Sequence, residues 1–487
     1  MDYQKAKEVY ATLTEEQIEA ATMAMRGFSC LPMTGRYGKV NDLFSEFGSE
    51  FALNRNRLEM EITYLNMLCD VIGVKLSEEE QDKLYNMLDD FDVTEFFEMK
   101  AIEETTKHDV KAVEYYIRGK LDELGMGRLK PYVHMGLTSE DVNNIAYALM
   151  MSDCMDEWNE KAIELIEKMH ELAERTKNVP MLGHTHGQPA TPLTFGHAVS
   201  VDWARLKEAL EYANSIPICM KLNGAVGNRA AMMFAYPDVD WGVFEAEYVA
   251  SFGEEFAVNP LTSQIECHDY MVRILNEIRL FSSVVENIGK NIEDYTCLKY
   301  LKQIPKEGEV GSSTMPHKIN PIDGENAWSN AITAEFAAVG LTQKLPQSKM
   351  QRDLSDSSSL RTIPTVFLHS YQAMVSLIRM LGKLEVNQEV MQKDLDENSE
   401  VLAEAIQTIL RKNGYDNAYE IMKQMTRGKK TTLEDLRKFI KGLDIAEDDK
   451  ERLLKLTPAE YIGESKELVE YYCYPMNLED AGEVFAE

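Results

Sequence analysis

A long amphipathic helix in the second half of the chain limits the possible folds more than any other feature. Between about residues 265 and 301, apolar side chains recur at alternating steps of three and four, which places them on one helical face. They are Met271, Ile274, Ile278, Phe281, Val285, Ile288, Ile292 and Tyr295. At about 1.5 Å per residue this helix would span roughly 55 Å, too long to bury inside one subunit of this size. Helices of that kind form bundles, often between chains.

Two other long segments have the same periodicity. The stretch 134–144 opens a helix that Pro180 closes. Its apolar seam is Met151, Met155, Trp158, Ala162, Leu165, Met169 and Leu172. A shorter amphipathic helix follows at 195–213, and a third long helix is predicted from about 322 to 345. The helix that opens at 134–144 is expected to be shorter than the one at 265–301.

The flanking regions also favour helices, and no series of alternating strands is evident. The first 126 residues indicate several helices with polar joints, and the chain from about residue 385 is charged and helical. We therefore predict an all-α fold with three domains: an N-terminal helical domain (1–126), a central long-helix bundle (127–384) and a C-terminal helical domain (385–487).

Charge and cysteine content exclude several classes of function. The net charge of −31 argues against nucleic acid or an anionic membrane as partner, because both would be repelled. No apolar stretch reaches the roughly 18 residues of a membrane span, and the N-terminus lacks the apolar segment of a signal peptide. The seven cysteines are scattered without CxxC pairs, which favours reduced thiols and a cytoplasmic location. An anionic ligand would need a locally positive site in such a chain.

The ten residues 311–320, GSSTMPHKIN, gather polar groups before the third long helix. Asn320 followed by Pro321 is a favourable start for a helix, whose first turn would contain Asp323 and Glu325. Lys318 adds a positive charge close to the free N–H groups of that helix start. The arrangement suits an anion, or negative charge that develops during a reaction. Composition alone favours an ordinary serine-rich loop that caps a helix.

Three polar segments lie earlier in the chain. Thr34–Val40, TGRYGKV, is a glycine-punctuated turn that contains Arg36 and Tyr37. Lys107, His108 and Asp109 stand at a predicted helix start, where they could also be an ordinary exposed charge cluster. Residues 134–144, HMGLTSEDVNN, contain Thr138 with Asp141 three residues later, which is like a capping box although Asp replaces the usual Glu or Gln.

Two histidines, His184 and His186, lie in a loop bounded by glycine and proline. They could be metal ligands, but no cysteine or carboxylate stands at ligand spacing nearby. Further along, the stretch 351–361 places Arg352, Ser357 and Arg361 close together. Two guanidiniums and a hydroxyl could form a phosphate cradle, or the segment could be a solvated loop between helices.

Several of these segments resemble one family of enzymes. GSSTMPHKINP followed by Glu325 resembles the signature loop of the fumarase/aspartase superfamily, whose lyases eliminate fumarate from a substituted succinate. The GRYG, KHD, THGQP and TSQIECHDY segments and the 351–361 block resemble the adenylosuccinate lyases of that superfamily. Met33 and Thr34 stand where members of the family commonly have Leu-Asp. The resemblance covers almost the full chain, in at least six blocks in the family's order.

The resemblance implies a three-domain lyase fold whose long helices form a bundle in a homotetramer, with active sites shared between subunits and no cofactor or metal. The implied reaction releases fumarate from adenylosuccinate, and from the succinylated aminoimidazole carboxamide ribotide of purine synthesis. The implied catalytic residues are Ser312 as base, His186 as general acid, Lys318 as the activating cation and Glu325 as the partner of His186. The implied substrate-binding residues are Arg36, Tyr37, Lys107, His108, Asp109, His134, Thr138, Ser139, Gln264, Ser313, Asn320, Asn326, Arg352, Ser357 and Arg361.

Two other functions remain open. Another lyase of the superfamily, such as an argininosuccinate lyase or a cycloisomerase, should have the signature loop but lack the KHD triplet and the 351–361 block. A non-catalytic structural homologue should have lost Ser312, Lys318 or His186, and all three are present.

Overall fold

The computed structural model describes residues 2–29, 32–305, 315, 319–428 and 430–476. Most of these residues are helical, which confirms the predicted all-α class. The chain divides into two compact units. Unit 1 comprises Met1–Glu160, Tyr212–Ser282 and Asn330–Gln372, and unit 2 comprises Lys161–Glu211, Ser283–Ser329 and Ala373–Glu487. The three domains divided at residues 126 and 384 stay a prediction.

Among the described residues, eight helices form the N-terminal part of unit 1. They are α1 (Tyr3–Tyr10), α2 (Glu15–Phe28), α3 (Pro32–Arg36), α4 (Gly38–Gly48), α5 (Glu50–Val71), α6 (Glu78–Asp89), α7 (Val93–Thr106) and α8 (Asp109–Glu123). Each helix from α5 to α8 follows a residue whose side chain accepts a hydrogen bond from a free N–H of its first turn: Ser49, Ser77, Asp92 and His108. Leu58, Ile62 and Leu65 of α5 pack with Val113 and Ile117 of α8 in one buried core. A 3₁₀ helix, Gly127–Tyr132, follows α8.

The middle of the chain contains the long helices. In order they are α9 (Ser139–Thr176), α10 (Phe195–Asn214), α11 (Ala230–Ala235), α12 (Trp241–Ala250), α13 (Asp269–Cys297), α14 (Ile322–Lys344), α15 (Ser355–Leu360) and α16 (Ile363–Leu381). The third long helix therefore has almost the predicted bounds.

Helix α13 is shorter than the predicted range of about 265 to 301. It begins at Asp269 and ends at Cys297, because His268 and Lys299 have φ angles of 61° and 62°. That left-handed conformation interrupts a right-handed helix. With 38 residues, α9 is the longest described helix, so the predicted order of the two lengths was wrong. At about 1.5 Å per residue α9 spans roughly 57 Å.

Aromatic and hydroxyl side chains join three of the long helices inside unit 1. The ring of Trp158 on α9 lies 4.8 Å from that of Phe281 on α13. Trp158 Nε1 donates to Ser370 Oγ on α16 at 2.9 Å, and Ser282 Oγ on α13 donates to the same oxygen at 3.0 Å. Truncation of a buried aromatic residue of this kind costs about 3–5 kcal/mol. The seam is therefore core packing, as its sequence pattern predicted.

The C-terminal part of unit 2 is helical. Its helices are α17 (Gln388–Glu397), α18 (Ala403–Lys412), α19 (Ala418–Thr426), α20 (Leu433–Lys441), α21 (Glu447–Lys455) and α22 (Ser465–Tyr472), with 3₁₀ helices Ser399–Leu402 and Pro458–Glu460. Leu410, Met422 and Leu436 belong to a buried core shared by α18, α19 and α20. Within the same unit α13 and α14 approach closely, since a Cβ on Gly289 would lie 3.0 Å from the carbonyl oxygen of Gly324.

In the described ranges, three small sheets of two strands accompany the helices. The strands are β1 (Pro180–Thr185), β2 (Gln188–Thr194), β3 (Ile218–Met220), β4 (Phe256–Val258), β5 (Leu301–Gln303) and β6 (Leu384–Val386). β1 pairs with β2 and β5 with β6 antiparallel, whereas β3 and β4 are parallel. Among the described helices none is long and apolar enough to cross a membrane.

Candidate active site

The KHD triplet lies at a helix junction in unit 1, as predicted. Lys107 ends α7 with a left-handed φ of 55°, and His108 is the N-cap of α8. His108 Nδ1 accepts a hydrogen bond from Lys111 N–H at 3.2 Å, so the proton of the exposed ring is on Nε2. Asp109 is the first residue of α8, and its Oδ2 lies 2.7 Å from a guanidinium nitrogen of Arg57 on α5. Burial alone raises the pKa of Asp109, but the charge of Arg57 brings it below its ordinary value.

The segment before α9 is a second part of the candidate site. Thr138 N–H donates to Asp141 Oδ2 at 2.8 Å, which is half of a capping box, and Ser139 begins the helix. The other oxygen of Asp141 accepts from the backbone N–H groups of Asn223 and Gly224. This second contact gives a physical reason for Asp at the position where Glu or Gln is usual. Both Thr138 and Ser139 are partly exposed.

His134 lies on the same segment and has a left-handed φ of 57°. Its Nδ1 lies 2.5 Å from Oε1 of Glu61, a residue of α5 that is almost fully buried. Because an ionised carboxylate has no proton to give, Nδ1 is the donor in this hydrogen bond.

The polar side chains of the 351–361 block contact two separate groups of partners. Arg352 donates to Glu140 Oε1 at 2.6 Å and to Gln264 Oε1 at 3.2 Å. Arg361, just after α15, donates to the carbonyl oxygen of Ser357 at 2.6 Å and to its hydroxyl at 2.8 Å. Ser357 and Arg361 therefore contact each other, whereas Arg352 pairs with a buried glutamate of α9.

A continuous polar network joins these blocks. Its members are, in order, Arg352, Glu140, Asn143, Arg57, Asp109, Arg361 and Ser357, with successive contacts of 2.6 to 3.8 Å. We call this set the unit 1 network. Its three guanidiniums and two carboxylates leave one net positive charge. Removal of one partner from a buried ion pair costs about 3–5 kcal/mol, because it leaves the other charge buried without compensation. The network links the predicted binding residues of this unit to one another.

The GRYG segment is more helical than predicted. Arg36 is the exposed last residue of α3, and only Tyr37 lies in a turn, directly before α4. The prediction of a glycine-punctuated turn across Thr34–Val40 was wrong for most of that segment. Tyr37 Oη accepts a hydrogen bond from Asn330 Nδ2 of α14 at 3.3 Å.

In unit 2 the two histidines lie on a hairpin and not in an irregular loop. β1 and β2 pair up to Thr185 and Gln188, which leaves His186 and Gly187 as a two-residue turn. Both have positive φ angles, 54° and 69°, as a type I′ turn requires. Glycine supplies this conformation at no steric cost, and His186 is held exposed at the tip. His184 lies on β1, with its ring 6.1 Å from that of Tyr300.

The start of α14 provides the other described site residues of unit 2. The carbonyl oxygen of Pro321 accepts from Glu325 N–H at 3.2 Å, so the helix begins one residue later than the predicted cap at Asn320. Glu325 is exposed, and Asn326 Oδ1 accepts from Ser376 Oγ at 2.6 Å. The predicted residues Ser312, Ser313 and Lys318 lie outside the described residues. Within the part of the chain that is described, Glu325 and His186 do not contact each other by a hydrogen bond or an ion pair.

The structure adds residues that were not among the predicted site residues: Arg57 and Glu61 on α5, and Glu140 and Asn143, which lie inside the 134–144 segment at the start of α9. Each contacts a predicted site residue or joins two of them. The sequence contains a weak indication of the two α5 residues, because Arg57 and Glu61 are charged residues four apart in a helix with many buried apolar residues. By sequence alone this spacing is equally typical of a solvated helix face.

Comparison with known proteins covers nearly the whole chain. The family model described as Lyase matches residues 35–334, and the model described as Adenylosuccinate lyase C-terminal matches residues 348–462. The adenylosuccinate lyase of Haemophilus influenzae is 40% identical over 450 residues, which cover 90% of this chain and 97% of that protein. The adenylosuccinate lyase of Legionella pneumophila is 41% identical over 449 residues, which cover 91% and 98%.

Two solved structures have the same fold. A fumarate lyase from Mesorhizobium sp. BNC1 has a TM-score of 0.67 at 18% identity, and covers 89% of this chain and 96% of its own. A 3-carboxy-cis,cis-muconate lactonizing enzyme from Pseudomonas putida has a TM-score of 0.66 at 20% identity, with coverage of 89% and 95%. At these identities the likeness extends to the fold alone, and it confirms the predicted lyase fold.

Proposed function

Since the chain belongs to the adenylosuccinate lyase family, we propose that it eliminates fumarate from adenylosuccinate to give AMP. The same reaction on succinylaminoimidazole carboxamide ribotide gives AICAR, and both steps belong to purine nucleotide biosynthesis. The observation that carries the proposal is the identity of about 40% to adenylosuccinate lyases over nine-tenths of the chain. The scattered cysteines favour reduced thiols, and the cytoplasm is the proposed location.

The reaction breaks a C–N bond by removal of a proton from the carbon next to a carboxylate. That proton is only weakly acidic, so the dianionic intermediate needs electrostatic stabilisation. Ser312 is the proposed base, and Lys318 would favour its alkoxide and the extra charge of the intermediate. The free N–H groups at the start of α14 would also favour the alkoxide and the extra charge of the intermediate, since a helix N-terminus favours negative charge. Ser313 and Asn320 would hold the carboxylates of the succinyl group.

The departing amine needs a proton, and His186 is the proposed general acid. A histidine transfers protons readily near neutral pH, and the tip of the β1–β2 hairpin leaves this ring open to a ligand. Glu325 would orient and charge the imidazole. Because these two exposed residues do not contact each other in the described chain, we propose that the pair forms between subunits.

Unit 1 would bind the nucleotide and part of the succinyl group. The unit 1 network has one net positive charge in a chain of net charge −31, and exposed His108 and half-exposed Arg361 lie beside Asp109. Charge of that sign attracts phosphate and carboxylate groups. The proposed ligands from this unit are Arg36, Tyr37, Lys107, His108, Asp109, His134, Thr138, Ser139, Gln264, Arg352, Ser357 and Arg361, and Asn326 is proposed from unit 2.

We propose a homotetramer whose active sites combine residues from different subunits. The long helices have large apolar side chains at the surface of the single chain, such as Val201 on α10, Leu280 on α13 and Phe336 on α14. Side chains of that kind are typical of faces covered by other helices. In addition, the proposed acid and base lie on separate elements far apart in sequence.

Mixing two inactive variants tests the shared site and the reaction together. Tetramers of Ser312→Ala and of His186→Asn are each expected to be nearly inactive on adenylosuccinate. After the subunits exchange, random hybrids should regain about a quarter of the wild-type rate, because some sites then combine an intact Ser312 with an intact His186. The rate is measured as loss of adenylosuccinate absorbance, and exchange is checked with a mass tag on one variant.

Two controls define the outcome. Mixing each variant with itself should restore no activity, and a double variant mixed with itself should also stay inactive. Hybrids that form by the mass measurement but stay inactive would contradict the sharing of Ser312 and His186 between subunits.

A further inference from the structure

One buried face of α5 contacts the predicted binding segments of unit 1 at successive turns. Arg57, Glu61 and Tyr64 are spaced by four and three residues and therefore share that face. Their exposed fractions are 2%, 1% and 0%. Arg57 pairs with Asp109, Glu61 with His134, and Tyr64 Oη donates to the carbonyl oxygen of Met135 at 2.6 Å. The helix thus fixes both the KHD triplet and the segment before α9.

Of the three residues, Glu61 is the one whose burial needs compensation most. A buried ionised carboxylate costs several kcal/mol unless a cation or hydrogen bonds compensate it. Oε1 of Glu61 accepts from His134 Nδ1 at 2.5 Å, and Oε2 is buried and has no hydrogen-bond partner in the described structure. Among the described residues, His134 is also the one ion-pair partner of Glu61. Protonated His134 therefore compensates the charge of Glu61.

The surroundings of His134 hold the ring in this state. Burial alone lowers the pKa of His134, but the hydrogen bond and the charge of Glu61, with the charges of Glu114 and Asp141, raise it above its ordinary value. The Tyr64 hydrogen bond to Met135 ties the backbone next to His134 to α5. Since Nδ1 is occupied by Glu61, only Nε2 is available to a ligand, and the side chain is 19% exposed.

We propose that Glu61 is a positioning residue that keeps His134 positively charged and directs its Nε2–H to an anionic oxygen of the bound substrate. The inference rests on the proposed function and assigns to it a residue outside every motif. The anionic oxygen belongs either to the phosphate or to a succinyl carboxylate, and separate probes for each distinguish them. A purely structural ion pair would fix the segment before α9 without affecting one ligand in particular.

Calorimetric titration with AMP and with fumarate tests the inference on the intact protein. Glu61→Gln retains the size of the side chain and removes the charge, so it should weaken binding of one of the two probes roughly 10-fold, the size expected for one charge-assisted hydrogen bond. The KM for adenylosuccinate should rise by a similar factor, with kcat within about threefold of the wild type. The probe that loses affinity identifies the group that His134 binds.

Two further variants separate charge from structure. Glu59→Gln makes the same change on another face of α5, and should leave both affinities within about twofold. The double variant Glu61→Gln, His134→Gln replaces the ion pair by two amides that can bond to each other, so it gives a measurement even if Glu61→Gln alone does not fold. It should bind the affected probe roughly as weakly as His134→Gln alone, because Glu61 acts through His134.

Each outcome has a distinct meaning. A folded Glu61→Gln variant that binds AMP and fumarate with unchanged affinities would overturn the role proposed for Glu61, but not the proposed function. Equal weakening of the binding of both probes, together with a lower kcat, would have the same meaning. A further loss of about tenfold when Glu61→Gln is added to His134→Gln would show that Glu61 acts by another route. A folded wild type that neither binds AMP nor cleaves adenylosuccinate would instead overturn the proposed function.

Discussion

Ser312→Ala is expected to lower kcat on adenylosuccinate by roughly 10²–10⁴-fold, the contribution typical of general base catalysis. The methyl group of alanine cannot accept the proton from carbon, and water at the same place would lack the activation of the serine hydroxyl that we propose for Lys318. Binding should change little, because the proposed role of the hydroxyl lies in the transition state. Stopped-flow absorbance gives kcat, and calorimetry with AMP gives the affinity.

Ser313→Ala is the matched control for this variant. Ser313 is proposed to hold a substrate carboxylate, so its loss should raise KM with a much smaller effect on kcat. If Ser313→Ala proved inactive while Ser312→Ala kept its rate, the assignment of the base would be wrong by one residue.

His186→Asn is the second variant expected to have a large effect, a fall in kcat of roughly 10²–10⁴-fold. The amine is a poor leaving group without a proton, and asparagine cannot supply one at neutral pH. Asparagine is the suitable replacement because it tolerates the positive φ of 54° at the hairpin tip. The measurement is the rate of fumarate release at saturating adenylosuccinate, with circular dichroism to check the fold.

His184→Asn tests whether the effect belongs to the ring at the tip. His184 is an exposed histidine two residues earlier on β1, and it should tolerate replacement with a change in kcat within about threefold. Equal losses in both variants would indicate damage to the hairpin and not the loss of an acid.

The periodicity of the sequence predicted the long helices well but not all their ends. The third helix has almost the expected bounds, since Pro321 stops helix on its N-terminal side. The predicted bounds of α13, about 265 to 301, extend past both ends of the helix, which left-handed backbones at His268 and Lys299 end. A hydrophobic pattern reports which side chains are buried, and it does not report such local backbone states.

The β1–β2 hairpin shows a second limit. Its strands contain glycine and three prolines, which sequence propensities assign to loops. The pairing depends on contacts between the strands that no local window contains: a Cβ on Gly183 would lie 2.3 Å from the carbonyl oxygen of Thr191. Only glycine permits this approach of the two strands. The need for glycine at this position becomes evident only in the paired structure.

The residues of the candidate site were also predicted only in part. Sequence motifs alone indicated Asp109, His134, Arg352 and Arg361. Their partners Arg57 and Glu61 come from α5, a segment without a motif, and Glu140 on α9 lies inside the 134–144 segment without having been selected. A buried charge and a solvated charge have the same letter in a sequence. Burial and partner distances are what distinguish them.

The most direct test of the proposed activity is a substrate comparison with the purified wild-type protein. Adenylosuccinate and argininosuccinate are supplied separately, and the products are separated by chromatography. We expect AMP and fumarate in equal amounts from adenylosuccinate and no fumarate from argininosuccinate. A folded protein that releases fumarate from argininosuccinate but leaves adenylosuccinate intact would contradict the proposed function.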